Sequence, residues 1–159
     1  MPVIKIETYI NAPIEVVFDL SRSIDLHKIS TAHTFEEVIA GKTSGLIEMD
    51  ETVTWRAKHF GVFQELTSKI TSLARPYQFT DEMASGAFKS FRHDHLFEER
   101  DGVVIVTDVF DYKSPFGVLG RFADFLFLKS YMKRLLEKRN EILREFAEDD
   151  IKYKKILPF

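Results

Sequence analysis

The chain has 159 residues, of which 45% are hydrophobic and 30% charged, with a formal net charge of −3 and no cysteine. That length suits one domain with a sizeable core. The missing cysteines exclude disulfides, thiolate metal sites and cysteine nucleophiles, and the weakly acidic balance gives no electrostatic basis for binding nucleic acid.

Val3 to Ile10 alternates Ile4, Ile6, Thr8 and Ile10 against Lys5, Glu7 and Tyr9, a strand pattern. Asn11-Ala12-Pro13-Ile14-Glu15 reads as a helix start, with Pro in the first turn and Glu15 at the positive end. This helix ends near Ser21, and Ser23 caps a second short one. A strand is expected near Phe35 to Ala40, and turns at Gly41 and Gly45.

From Thr52 onward the pattern is a meander. Val53, Trp55, Ala57 and His59 share the inner face, and Thr54, Arg56 and Lys58 the outer. A two-residue turn at Phe60-Gly61 pairs His59 with Val62, Ala57 with Gln64 and Trp55 with Leu66. Tyr77, Phe79, Asp81 and Met83 alternate next, then Phe91, His93, His95 and Phe97, with a turn at Arg100-Asp101-Gly102. Val103 to Tyr112 is apolar on both faces, as a central strand is. After Ser114-Pro115-Phe116-Gly117 a long helix runs to about Glu148. Leu128, Met132, Leu135, Ile142 and Phe146 form its apolar stripe, and Arg139 interrupts that stripe where it nears solvent. Phe122, Phe125, Leu126 and Phe127 are apolar on nearly all sides, which predicts a helix covered on more than one side. Residues 149–159 read as a flexible tail after a domain spanning 1–148.

Fifteen phenylalanines, where roughly six would be usual, suggest a wide interior. The order of elements, and Asn11-Ala12-Pro13-Ile14-Glu15-Val16-Val17-Phe18, resemble the START/Bet v 1-like (SRPBCC) helix-grip superfamily, which also includes polyketide cyclases and aromatases. Val53 to Gly61, His93-Asp94-His95 and Asp111-Tyr112-Lys113-Ser114-Pro115-Phe116-Gly117 are similar to a small bacterial branch often labelled "cell division inhibitor". The resemblance covers residues 3 to about 148. It implies an α+β helix-grip fold, with a curved antiparallel sheet of six to seven strands around a long C-terminal helix. It also implies a cavity for an apolar or amphipathic molecule, and it carries over no catalytic residue.

The sharpest constellation is His93, His95 and Asp108. A short loop between their strands makes paired positions sum to an odd number, so Asp108 lies beside one of the two histidines. His59 and Asp81 occupy neighbouring inner positions. Three readings are open: a buried polar network that orders the sheet, a patch that orients the polar end of a ligand, or a metal or acid–base site completed by His59 or Asp108. For the last, a meander offers no evident second layer of support. His27 and His33 are assigned to surface or loop.

The expected function is binding of a hydrophobic or amphipathic small molecule (lipid, polyketide-like or isoprenoid) between sheet and helix. The site would comprise Trp55, His59, Phe79, Asp81, Phe91, His93, His95, Phe97, Asp108, Phe110, Tyr112, Phe122 and Phe125. No catalytic residue, cofactor, metal or nucleic acid is expected. The alternatives are a cyclase- or aromatase-type enzyme using a His/Asp pair, and an interaction module with a filled core. With no run of about 18 apolar residues and no signal-peptide layout, a cytoplasmic protein without transmembrane segment is expected.

Overall fold

Alternation of inner and outer side chains bends seven strands into one curved antiparallel sheet, in the order β1-β7-β6-β5-β4-β3-β2. The computed structural model describes residues 2–158. The strands are β1 (Val3–Ile10), β2 (Glu37–Gly41), β3 (Thr52–His59), β4 (Val62–Ala74), β5 (Gln78–Gly86), β6 (Ser90–Arg100) and β7 (Val103–Lys113). After β1 come α1 (Ile14–Ser21) and α2 (Ile24–Ser30). The Ser23 hydroxyl caps α2 by accepting from the Leu26 N–H at 3.1 Å, which satisfies a free donor of the first turn. This is the helix-grip arrangement.

The hairpins follow the predicted register. His59 pairs with Val62 and Trp55 with Leu66 across a turn in which Phe60 and Gly61 both take positive φ. That geometry matches the right-handed twist of the flanking strands. Asp101-Gly102 does the same between β6 and β7, setting His95 opposite Asp108 and His93 opposite Phe110. Across β5 and β6, Asp81 faces His93 and Phe79 faces His95.

The C-terminal helix has three parts: α3 (Gly117–Ala123), a π-helical stretch over Asp124–Leu128, and α4 (Lys129–Ala147). Among the described residues no helix is long and apolar enough to cross a membrane. The inward positions of the first parts are Gly120 and Asp124, not the phenylalanines. A Cβ on Gly120 would lie 2.0 Å from the Pro115 carbonyl oxygen. Asp124 is buried, accepting from the Tyr112 hydroxyl at 3.0 Å and from the Ser114 hydroxyl. With those two positions, one helical turn apart, turned inward, Phe122 and Phe125 point out and are 61% and 86% exposed. This corrects the expectation that they are covered and line the interior.

The buried face of α4 is Leu136, Asn140, Leu143 and Ala147, spaced by fours and a three. The stripe expected from sequence lies beside it and is half-buried. The tail is also corrected. Asp149 accepts from the N–H groups of Ile151 and Lys152 and starts a helix, α5 (Asp150–Ile156). Leu157 then packs into the core with half-buried Tyr153 and Ile156, so apolar contact orders what composition alone suggested was free.

Two apolar clusters result. One gathers Phe18 of α1, Phe79, Phe97, Val106, Leu143 and Leu157, with Phe18 set edge-on to Phe79 and Phe97. The other holds Ile4, Ile6, Phe91, Phe110, Tyr112 and Leu136. Asp19 ties the first cluster to the sheet. Its buried carboxylate accepts from Arg22 Nε and Nη2 (2.9 and 2.8 Å) and from Arg75 Nε and Nη2 (3.1 and 2.7 Å). Burial would raise its pKa, but the hydrogen bonds from Arg75 and Arg22 outweigh that and hold the carboxyl below its ordinary value. A depressed carboxylate stabilises the fold above its unfolded pKa of about 3.9, and the contribution fades as pH falls through the lower folded value. Asp19→Asn is therefore expected to cost about 3 kcal/mol in urea unfolding at pH 7. The difference from the parent should narrow only below about pH 3.9. An equal deficit at pH 7 and pH 2.5 would contradict the assignment.

Candidate functional site

Between the sheet and the C-terminal helix lies a cavity of about 640 Å³. It exists because α4 packs against β1, α1 and α2, at one side of the sheet. The inner faces of β3 and β4, with Trp55, Ala57, Leu66 and Ile70, line open space instead. The surplus phenylalanines do not fill it: Phe35, Phe63, Phe116, Phe122 and Phe125 are exposed. The filled-core alternative does not describe this interior.

The walls are apolar on most sides. Trp55, Phe79, Phe91 and Phe110 come from the sheet, and Leu128, Met132 and Leu135 from the helix. Phe60 at the β3–β4 tip, with Phe116 and Phe127, stands partly in solvent and forms the rim. Nearby, His59 Nδ1 and the Tyr131 hydroxyl are hydrogen-bonded at 2.6 Å. Burial pushes His59 below its ordinary pKa, so this imidazole is neutral at pH 7.

The polar floor is one layer between the two apolar clusters. Along β6 the inner face reads Phe91, His93, His95, Phe97, so the two histidines sit between a ring of each cluster. Asp108, 1% exposed, is the centre. His93 donates its Nε2–H to Asp108 Oδ1 at 2.9 Å, and Asn140 Nδ2 donates to Oδ2 at 2.6 Å and to Thr8 Oγ1 at 3.1 Å. His95 donates Nε2–H to Asp81 Oδ1 at 2.9 Å. Its Nδ1 is 3.0 Å from Asp108 Oδ1, but off the line a hydrogen bond needs, so that contact is an ion pair only. Arg139 Nη1 is 3.7 Å from the same oxygen while Nη2 donates to the Ser21 carbonyl at 2.9 Å.

Charges in this layer follow from the geometry. Burial would raise the pKa of Asp108, but the hydrogen bond from His93 and the adjacent His95 imidazole hold it well below the usual carboxylate range. Burial likewise opposes ionisation of Asp81, and its hydrogen bond from His95 prevails and lowers it. Burial, then the neighbouring His95, lower the pKa of His93. For His95 burial is overcome by Asp108 and Asp81, and the pKa rises. The layer thus sets two carboxylates beside His95, whose protonated form they favour, and the Arg139 guanidinium, while His93 is held toward its neutral form.

Of the residues expected to contact a ligand, Trp55, His59, Phe79, Asp81, Phe91, His93, His95 and Phe110 line the cavity. Asp108 lies behind the two imidazoles. Phe97 is packed under Phe18 and Phe79, and Tyr112 is buried against Phe88, Phe110 and Asp124, so neither reaches the space. Phe122 and Phe125 are on the outside, as above. Arg139 corrects the sequence reading: it points inward, with its side chain only 13% exposed. His27 is another correction, because it lines the cavity, packs at a tilt against Trp55 with ring centroids 4.3 Å apart and bonds Glu36 at 2.7 Å. Sequence pattern does not single out Tyr131 or Asn140. For Asn140 a cue exists: Leu136, Asn140, Leu143 and Ala147 make a helical face with one amide in it.

The fold is shared with solved structures of low sequence identity. TTHA0849 from Thermus thermophilus superposes with a TM-score of 0.74 at 19% identity, covering 91% of this chain and 95% of that one. Ginseng major latex-like protein 151 from Panax ginseng gives 0.68 at 15% identity, over 93% and 98%. KanY protein (ms6282) gives 0.71 at 15% identity, over 93% and 98%. These likenesses show a shared fold, the helix-grip arrangement of a curved antiparallel sheet closed by a C-terminal helix. No family model and no curated protein matches the sequence significantly.

The Asp108 network makes a stability prediction. Asn140→Leu leaves Oδ2 of a buried carboxylate without its donor and should cost about 2–3 kcal/mol. Asp108→Ala should cost about 3–5 kcal/mol by removing the acceptor that His93 and Asn140 share and the partner of His95 and Arg139. Urea midpoints check both, and changes under about 0.5 kcal/mol would show that the layer does not hold the helix.

Proposed function

We propose that the protein binds a hydrophobic or amphipathic small molecule, of lipid, polyketide-like or isoprenoid type, between the sheet and the C-terminal helix. The observation that carries this is an open space of about 640 Å³, within the ~300–1,000 Å³ of small-molecule sites, with mostly apolar walls and a charged layer at its floor. Trp55, Phe79, Phe91 and Phe110 supply apolar contact. Asp81, His93, His95 and Arg139 meet the polar end of the ligand, and His59 with Tyr131 offers a second polar point near the rim. The ligand enters between the Phe60 tip and Pro115-Phe116. The same proposal places the protein in the cytoplasm with no nucleic-acid partner, in line with its −3 charge.

One observation favours a second reading, a cyclase- or aromatase-type enzyme. His93 is neutral, its Nε2–H is held by Asp108, and Nδ1 is left free to take a proton, as a general base requires. A carrier loses affinity on His93→Ala and has no turnover to lose. An enzyme loses turnover while retaining affinity.

Ala57 is buried and lines the cavity, so Ala57→Trp should occupy the space. A fluorescent fatty acid should then bind at least about 10-fold more weakly, with Tm unchanged or higher. Denaturing mass spectrometry of the purified parent should reveal a co-purifying apolar molecule. Absence of any such molecule, together with no fatty-acid binding by the parent, would sink the proposal.

A further inference from the structure

The polar floor has a feature that neither a hydrogen-bonded network nor an apolar-ligand site requires. His93 spends its only ring N–H on Asp108, so its Nδ1 is a bare lone pair. That atom takes no hydrogen bond from the described residues and faces Asp81 Oδ1 at 4.0 Å. Two acceptors facing each other at the edge of a cavity repel unless a cation stands between them. At present only the His95 Nε2–H, 2.9 Å from the same Asp81 oxygen, partly fills that role.

We propose that Asp81, His93 and His95 form a binding site for one first-row divalent metal ion at the floor of the cavity. His93 Nδ1, His95 Nε2 and Asp81 Oδ1 would be the ligands, with Asp108 holding both imidazoles from behind. One ligand atom from each of the three residues lies within 4.8 Å of the others. Ligands at about 2.1 Å from a metal are themselves about 3.0–3.4 Å apart. The observed 2.9 and 4.0 Å separations reach that spacing by small rotations of Asp81 and His93. The ligand set, two imidazoles and one carboxylate on one side of the ion, suits zinc, cobalt or iron(II) and leaves positions open toward the cavity.

The support behind these ligands distinguishes the site from a chance cluster. Metal-binding histidines donate their remote N–H to a carboxylate, which fixes the ring and the tautomer. Here one carboxylate oxygen, Asp108 Oδ1, lies 2.9 Å from His93 Nε2 and 3.0 Å from His95 Nδ1, the two nitrogens that would not ligate. Asn140 anchors the other oxygen at 2.6 Å. His95 Nδ1 is buried and without an aligned partner. With Nε2 on a metal the ring proton sits on Nδ1, and a small turn of the ring lets that N–H settle on Asp108. Because the ion is held by protein groups alone, the site does not depend on the apolar-ligand reading.

The test uses the tag-free full chain, stripped with chelator and dialysed against Zn²⁺ with no organic ligand present. The parent should retain one equivalent, gain Tm, and give a visible absorption band with Co²⁺. Asp81→Asn and His93→Gln should each weaken Zn²⁺ roughly 100-fold or more. Asp108→Asn should weaken it about 10–100-fold by loosening the rings. His33→Ala, at an exposed histidine, should leave it unchanged. Failure of the folded parent to retain Zn²⁺ would overturn the site, as would equal retention by folded Asp81→Asn and His93→Gln.

Discussion

A single carboxylate, Asp108, joins the sheet to the helix that closes it. Burying an isolated charge this deeply would cost several kcal/mol, and the surrounding structure is arranged to offset that. His93 and His95 approach one oxygen from β6, Asn140 approaches the other from α4, and Arg139 adds a second positive charge. The contacts come from the middle of their elements, so β7, β6 and α4 are fixed relative to one another at one level. Leu136 and Leu143, one turn to either side of Asn140, pack into different apolar clusters. The helix register is thus specified by a directional polar contact, with greasy contacts on both sides that alone would tolerate a slip.

That anchoring also accounts for the cavity. With α4 held over β1 and β7, its side chains cannot settle onto β3 and β4, whose inner faces stay uncovered. The start of the C-terminal helix is held separately, by Asp124 accepting from Tyr112 and Ser114. A π-helical stretch fits between the two anchors and absorbs the mismatch in turn. Outward rotation of Phe122 and Phe125 follows from that anchoring, leaving an exposed apolar run beside the rim.

Strand period was legible in the sequence because two residues per repeat leave no intermediate phase. Once Phe60-Gly61 and Asp101-Gly102 were identified as turns, the inner faces and the neighbourhood of His93, His95 and Asp108 followed by counting. Helix phase was less legible. Successive residues differ by 100° around the axis, so Leu135 and Leu136 both suit a core stripe, and choosing the former turned Arg139 outward and hid Asn140. Composition misled at Phe122 and Phe125, where the anchoring residues are a glycine and an aspartate. His27 was illegible for a different reason: its place against Trp55 depends on how α2 docks over the sheet, which no local pattern encodes. The tail carried a readable cap at Asp149, but Leu157 finds its place only through tertiary contact.

Fold and site share the same atoms, which limits how the interior can change. Asp108 faces two ways, with one oxygen toward the helix and the other toward the imidazoles. A substitution there alters stability and the cavity floor together. Asp81 differs: its side chain is 19% exposed, it accepts from His95 alone among the described hydrogen bonds, and among the described residues no hydrogen bond or ion pair ties it to the closing helix. It is the member of the polar layer that can vary without unseating α4. Chemistry at the floor is therefore set at β5, on the open side of the sheet, while β7 and α4 keep the space in shape.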